Sequence, residues 1–480
     1  MTFNVLSEPW IPVKTSDGVV KELGILELLE KAPELLEIAD AMPHYEYGIY
    51  RMLFVFLMDA YRPENEDEIY YDLLDNGSFD MERINEYVKA CNADGERFDL
   101  LDEKYPFMQC GKDQWAADAK VKSSANLSSV FAAGNNHVHF DHCREKDRKL
   151  TFAEAAKAVC SVNLFCTSGV QGYPSTPSGA PPIYSIVKGN TLFETLVYGM
   201  VAVHQSRKDD IPLWRSQEYV EPKKQVAKIF LLEGLTLPCR RICVLQENGE
   251  IASVLFEQGL NYVNYTAWND PYVSYYQTKA GDRANLKPGI DKETWRNLDT
   301  LLNISDTSPE IVKQYFRNTN CQTVHVCTYS VVTNQASYLD MQKGEYTIPA
   351  DIVRTPQRFE VLQEALAATE LNGRILRDAV KELAKKLGSD GKTGAAVSEC
   401  ERTLQRYYAS VKAEFFSWLC PVLQEVPGEE LNMCRQEWNT KIRRICWDTY
   451  DSFAERLGAD IHVLMKAQKV KKDILQKEGH

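Results

Sequence analysis

The chain has 480 residues, 44% of them hydrophobic and 26% charged, the make-up of an ordinary globular protein too long for one core, so two domains are expected. A formal net charge of −13 argues against a protein that clamps nucleic acid by itself, because sequence-independent affinity comes from Lys and Arg on phosphates; any such contact must be local or shared. No apolar run approaches the length of a membrane span, the densest being Met52 to Met58, and Glu8 and Pro9 stand where a signal peptide would be apolar. Thirteen cysteines, scattered without CxxC pairs, fit buried thiols in a reducing compartment better than a disulfide framework or a zinc ribbon. A cytoplasmic protein with no membrane partner is expected.

The opening FNVLSEPWIPVKTSDGVVKELGILELL predicts a strand at Trp10-Ile11-Pro12-Val13, a turn at Ser16-Asp17-Gly18, a second strand, and a helix from about Ile25. Helical patterning continues from residue 45 to 92, where Tyr50, Leu53, Phe54, Leu57 and Ala60 recur at helical spacing and need a core. Pro106-Phe107-Met108-Gln109 reads as a short loop with a buried anchor.

Between Lys120 and Arg148 the chain turns polar and small. His137, His139, His142, Cys143 and Asp141 are all competent zinc ligands close in sequence. H-x-H-x-x-H-C matches no specific metal spacing, however, and a catalytic site would also need an activated water and a general base. The competing reading is a loop in which Asp141 and His142 cap the helix beginning near Thr151.

Thr151 to Phe165 is predicted as an amphipathic helix opened by a Thr151/Glu154 capping box. The stretch beyond it, GVQGYPSTPSGAPPIYS, can bring backbone amides close to another chain or a groove, but lacks the spacing of an ATP phosphate loop. KGNTLFETL opens a further helix, Asp210 to Trp214 form its exit loop, and alternating strands run from Leu235 to about Phe256 around an Asn248-Gly249 hairpin turn.

Cys327 to Asp340, CTYSVVTNQASYLD, predicts a hairpin whose tip carries Thr333, Asn334 and Gln335. Amides offer donor and acceptor together, so this tip can read the edge of a base or insert beside one without bringing charge; the alternative is an ordinary polar turn.

From Pro356 the pattern is almost continuous helix, broken at Gly388 to Gly394, at Val426-Pro427-Gly428 and at Gly458. Val397, Cys400, Leu404, Tyr407, Val411, Phe415 and Trp418 form one apolar stripe, and Leu431, Cys434, Trp438, Ile442 and Ile445 another. Short connections between such helices specify an up-down four-helix bundle. Basic residues gather at Lys441, Arg443 and Arg444, and again at Lys466, Lys469, Lys471 and Lys472, as a solvated face or as a DNA-backbone contact. The expected fold class is α+β: a mixed domain of helices and short antiparallel strands over 1–355, then the bundle over 356–480.

Taken in order, WIPV, PFMQ, HFDH, KGNTLFETL, the Asp210 to Trp214 loop, LTLPCRRI, Trp295-Arg296, and TNQAS before a helical bundle resemble the large-subunit (CasA) family of type I-E CRISPR Cascade surveillance complexes. The resemblance implies a non-enzymatic subunit without cofactors, whose partners are the other Cascade subunits with crRNA, double-stranded target DNA, and a helicase-nuclease effector. It implies recognition of the protospacer-adjacent motif and the start of strand separation. The family's glutamine wedge matches Gln335 and its neighbouring asparagine Asn334, flanked by Thr333 and Ala336. Its glycine-rich minor-groove loop corresponds to Gly169 to Gly172, and its loop to the crRNA 5′ handle and adjoining subunits to Gly134, Asn135 and Asn136. Its lysine finger falls near Gly259, where no lysine stands, so the accepted motifs should differ. The alternative function is a metal-dependent hydrolase built on His137, His139 and His142.

Overall fold

The computed structural model describes residues 1–128, 147–166, 175–203, 208–216, 218–334, 337–388, 394–420, 424, 427–458 and 460–476. They form two compact units. One comprises Met1–Trp295, Thr300–Asn320 and His325–Tyr346; the other comprises Thr347–His480 with the short segments Arg296–Asp299 and Cys321–Val324.

In the first unit, β1 (Ile11–Thr15), β2 (Val20–Leu23) and β3 (Leu35–Ile38) form an antiparallel sheet in the order β2-β1-β3. The third of these strands, LLEI, is too short and too weakly alternating to stand out in the sequence. β4 (Val121–Ser123) and β5 (Tyr184–Lys188) follow, then β6 (Gln225–Val226), β7 (Arg240–Glu247), β8 (Glu250–Gln258) and β9 (Asn261–Tyr262). The expected turn joins β7 to β8, Asn248 at φ 53° and Gly249 at φ 86° supplying the left-handed pair that a two-residue hairpin requires. β6 and β9 pair in parallel, contrary to the antiparallel expectation. Two residues per strand leave no sequence period from which that direction could be read. β10 (Tyr275–Gln277) pairs with β11 (Arg283–Asn285), and β12 (Thr323–Asn334) lies between β5 and β13 (Ser337–Pro349).

The helix Pro43–Tyr61 runs through this unit, buried continuously from His44 to Asp59. Pro43 stands in its first turn and Arg62 ends it in a left-handed conformation, φ 42°. Because this helix is apolar on all sides, its few charges must find partners inside the protein. Arg51 does so through Asp270 at 2.8 Å, both side chains at most 5% exposed.

The capping box at Thr151 and Glu154 is present, but the helix spans Phe152–Ser161 and stops four residues short of the expected Phe165. There the chain's polar groups turn outward to neighbours: Asn163 Oδ1 accepts from Arg240 N at 2.7 Å, and Leu164 O accepts from the Tyr184 hydroxyl at 3.0 Å.

The second unit holds the helices Pro356–Lys386, Gly394–Trp418, Leu431–Arg456 and Ile461–Val470. The Trp418 and Trp438 rings lie 5.0 Å apart, and Trp438 Nε1 donates to Ala365 O at 3.1 Å. From Cys400 to Trp418 the first predicted stripe is buried. In the second, Ile445 is only half-buried, and the seam runs instead through Ile442, Cys446, Tyr450 and Phe453. The step from Ile442 is four residues and not three, because over this length a straight helix drifts from a strict repeat. No helix among the described residues is long and apolar enough to cross a membrane.

Candidate nucleic-acid interface

β12 and β13 are hydrogen-bonded neighbours separated by two residues, 335 and 336. Such a short connection admits only antiparallel pairing. The base of this hairpin is held on both faces: Cys327, Thr328, Tyr329, Ser330, Val331 and Val332 are each at most 2% exposed. Thr333 is half-buried and Asn334 is the last residue of β12. Gln335 and Ala336 lie outside the described residues, as do Gly169 and Gly172, Gly134, Asn135 and Asn136, and the candidate ligands His137, His139, Asp141, His142 and Cys143. The proposed capping by Asp141 and His142 is therefore also outside them; the side chain capping the helix is that of Thr151. No group of three potential metal ligands occurs among the described residues.

What the tertiary structure adds is the mount on which these segments sit. At the start of the helix Pro43–Tyr61, Glu46 Oε1 accepts from the Tyr329 hydroxyl of β12 at 2.5 Å, and Lys343 of β13 approaches its two oxygens at 2.9 and 3.0 Å. Burial raises the Glu46 carboxyl above the ordinary glutamate range against the pull of Lys343. Lys343 is held above the ordinary lysine value, burial opposing its charge and Glu46 supporting it. The network continues from Lys343 to Glu345 at 3.0 Å, to Lys188 of β5 at 3.4 Å, and through Glu37 of β3 to Lys14 of β1.

One turn of the same helix serves the other two segments. His44 Nε2 lies 3.0 Å from Ser128 Oγ, the last described residue before 129–146, and its ring stands edge-on to Phe165 at 6.3 Å. Phe165 precedes the glycine-bearing stretch 167–174 by two residues, and its carbonyl accepts from the hydroxyl of Tyr338 on β13 at 2.8 Å. Tyr47 stacks on Tyr184 at 4.6 Å and lies 5.4 Å from Tyr329. The anchors of three segments, remote in sequence, thus converge on His44, Glu46 and Tyr47.

A family model for the CRISPR-associated protein Cse1 matches residues 4–449. The chain belongs to the Cse1 family. A relative, CRISPR-associated protein CasA/Cse1 of Thermus thermophilus, is 26% identical over 439 residues, 87% of this chain and 84% of that protein. In fold, Thermobifida fusca Cse1 superposes with a TM-score of 0.81 at 21% identity, covering 100% of this chain and 98% of that one. A chain from a CRISPR RNA-guided surveillance complex gives 0.80 at 18% identity, covering 99% and 100%.

Two features singled out in the sequence look different in this Cse1 fold. Gly259 packs on the Pro238–Cys239 backbone just before β7, where an added Cβ would stand 1.9 Å from Pro238 O; a side chain at that position is excluded sterically. In the basic cluster, Lys471 pairs with Asp451 at 2.5 Å and Lys466 donates to Lys386 O at 2.8 Å, whereas Lys469 and Lys472 are exposed. Glu46, Lys343 and Tyr338 escaped sequence reasoning. The available signal was a glutamate and an arginine inside HYEYGIYRMLFVFLMD, since charges in an all-round apolar helix require buried partners.

Proposed function

We propose that this Cse1-family chain is the non-enzymatic large subunit of a crRNA-guided surveillance complex, in which it reads a short motif in duplex DNA and starts strand separation. The observation carrying this reading is the hydrogen bond from Tyr338 to Phe165, which joins the tip-side end of the amide-tipped hairpin to the edge of the glycine-bearing stretch. A motif reader and a wedge must act on adjacent base steps, so they need a common mount. In this reading Gly169 and Gly172 approach the minor groove, whose degenerate code distinguishes A·T from G·C more readily than all four pairs. Asn334 and Gln335, flanked by Thr333 and Ala336, enter the duplex beside the motif.

Energetics favour such a division of labour. Unstacking one step costs on the order of a few kcal/mol, and a neutral amide replaces part of the lost pairing. Guide pairing supplies the rest, because the heteroduplex is about as stable as the duplex it displaces. No ATP is required for that step. Gly134, Asn135 and Asn136 would meet the crRNA 5′ handle and adjoining subunits, and the assembled complex would recruit a helicase-nuclease in the cytoplasm. The motif-reading role falls to residues 1–355, with the bundle of 356–480 alongside displaced or target DNA. The net charge of −13 suits a subunit that touches DNA at a few points while others carry the RNA.

The test is assembly of the chain with the remaining subunits and crRNA, followed by a fluorescent-base assay of opening beside the motif. Replacing Asn334 and Gln335 with Ala should leave assembly intact, impair opening of a fully paired target at least tenfold, and largely spare a target pre-melted beside the motif. Equal loss on both targets would mean that the pair reads without opening. No loss on either would reduce the stretch to a turn.

A further inference from the structure

Glu46 sits on the helix Pro43–Tyr61, yet both of its carboxylate oxygens are spent on the hairpin: Tyr329 from β12, and Lys343 from β13. At 1% exposure it has no water to fall back on, and a buried carboxylate persists only when its acceptor sites are filled. It joins two adjacent strands to a third, rigid element through a charge pair and a short hydrogen bond. Nearby restraints are of the same kind, Lys343 bridging to Glu345 and Glu345 to Lys188 of β5. We propose that Glu46 is a positioning residue for duplex opening, fixing the direction in which the β12–β13 tip projects. This rests on reading that tip as a wedge.

The length of the hairpin explains why the restraint lies there. Tyr329 precedes Asn334 by five residues, which in an extended strand is about 17 Å. A pivot of about 10° at the base, opposed near the tip by the Tyr338–Phe165 bond, would carry the end of β12 sideways by about 3 Å, close to the spacing of about 3.4 Å between successive bases along a strand. A hairpin loosened at Glu46 would meet the wrong step or none. Tyr329 and Val331 are buried at this base, and the Glu46 clamp adds a charged tie from the helix to both β12 and β13.

The test uses Glu46→Gln in the full chain, assembled with its partner subunits and crRNA. Glutamine keeps Oε1 for Tyr329 and Lys343 but removes the charge and puts amide hydrogens in place of the Oε2 acceptor of Lys343, so the clamp is weakened with little change in volume. The expected result has three parts: incorporation into the complex is unchanged, hydrogen exchange of amides in 325–334 and 337–346 speeds up at least tenfold, and opening of a fully paired target slows tenfold or more while a pre-melted target stays within twofold. Glu46→Gln combined with Lys343→Gln, which restores a neutral hydrogen-bonded pair, should recover most of the duplex rate. Should Glu46→Gln fail to fold, Lys343→Gln, at the edge strand, must give the same duplex-selective defect. Faster exchange with unchanged opening overturns the proposal, as does equal loss on duplex and pre-melted targets. In those cases the wedge reading survives if Asn334→Ala with Gln335→Ala still separates the two targets. If that variant does not separate them, the wedge reading and this inference fall together.

Discussion

Tyr338, the second residue of β13, gives its hydroxyl to the carbonyl of Phe165 at 2.8 Å across 173 positions of sequence. The bond ties the strand leaving the hairpin tip to the residue just before Cys166 and the glycine-bearing stretch, so a displacement of either is transmitted to the other. Tyr338→Phe removes the donor and leaves the ring in place. It should lower the stability of the first unit by about 1 kcal/mol, the usual net worth of one hydrogen bond. Binding to a randomised-motif duplex library should become less selective while incorporation stays intact; unchanged selectivity would confine the bond to a structural role.

The helical unit offers a test of its core. Trp418 is 1% exposed and packs against both Phe415 and Trp438. Trp418→Ala should cost about 3–5 kcal/mol through lost burial and a residual cavity. Denaturant unfolding of this unit, followed through the remaining tryptophans, measures it directly, and a loss below about 1 kcal/mol would show that the seam closes without this ring.

Acid should destabilise the first unit in two stages. Burial holds His44 neutral, its pKa lowered from 6.5 to about 3. The unfolded chain takes up a proton that the folded chain refuses, so stability is present above pH 6.5 and falls as pH drops toward 3, by about 1.4 kcal/mol per pH unit. Glu37 and Glu345 lie below the ordinary 4.5; burial raises them, but the lysines Lys188, Lys14 and Lys343 more than offset it. Their contribution is full above 4.5 and is lost as pH falls further. His44→Gln should therefore flatten urea midpoints between pH 6 and 5 and leave the steeper loss below 4.5. An unaltered profile between pH 6 and 5 would contradict this account of His44.

Of the late basic residues, Lys469 and Lys472 are the cleaner probes, because changing Lys471 would also break its pair with Asp451. If both meet DNA phosphates, Lys469→Ala with Lys472→Ala should weaken binding of the assembled complex to all sequences alike. The slope of log affinity against log salt should fall by about 2, each phosphate contact contributing about 0.9. An unchanged slope would leave the two lysines as a solvated face.

Much of this chain was legible from local pattern. The capping box at Thr151, the Asn248-Gly249 turn, the long strands on either side of residues 335 and 336, and the apolar seams through Trp418 and Trp438 each declare themselves within a few residues, because capping, turn conformation and side-chain period are short-range physics. The end of the helix after Ser161 was not legible. Nor were the short strand Leu35–Ile38 and the parallel β6–β9 pair, which are too short to carry a readable period, or the step from Ile442 to Cys446, where a straight helix drifts from a strict repeat. Most of all, the sequence alone named a hairpin, a glycine-bearing stretch and a small polar loop as three separate candidates. Only the tertiary structure placed the anchors of all three on one turn of one helix. Glu46 and His44 carry no motif; their meaning lies in Tyr329, Lys343, Ser128 and Phe165, and a buried polar group takes its partners from whatever the fold brings within about 3 Å.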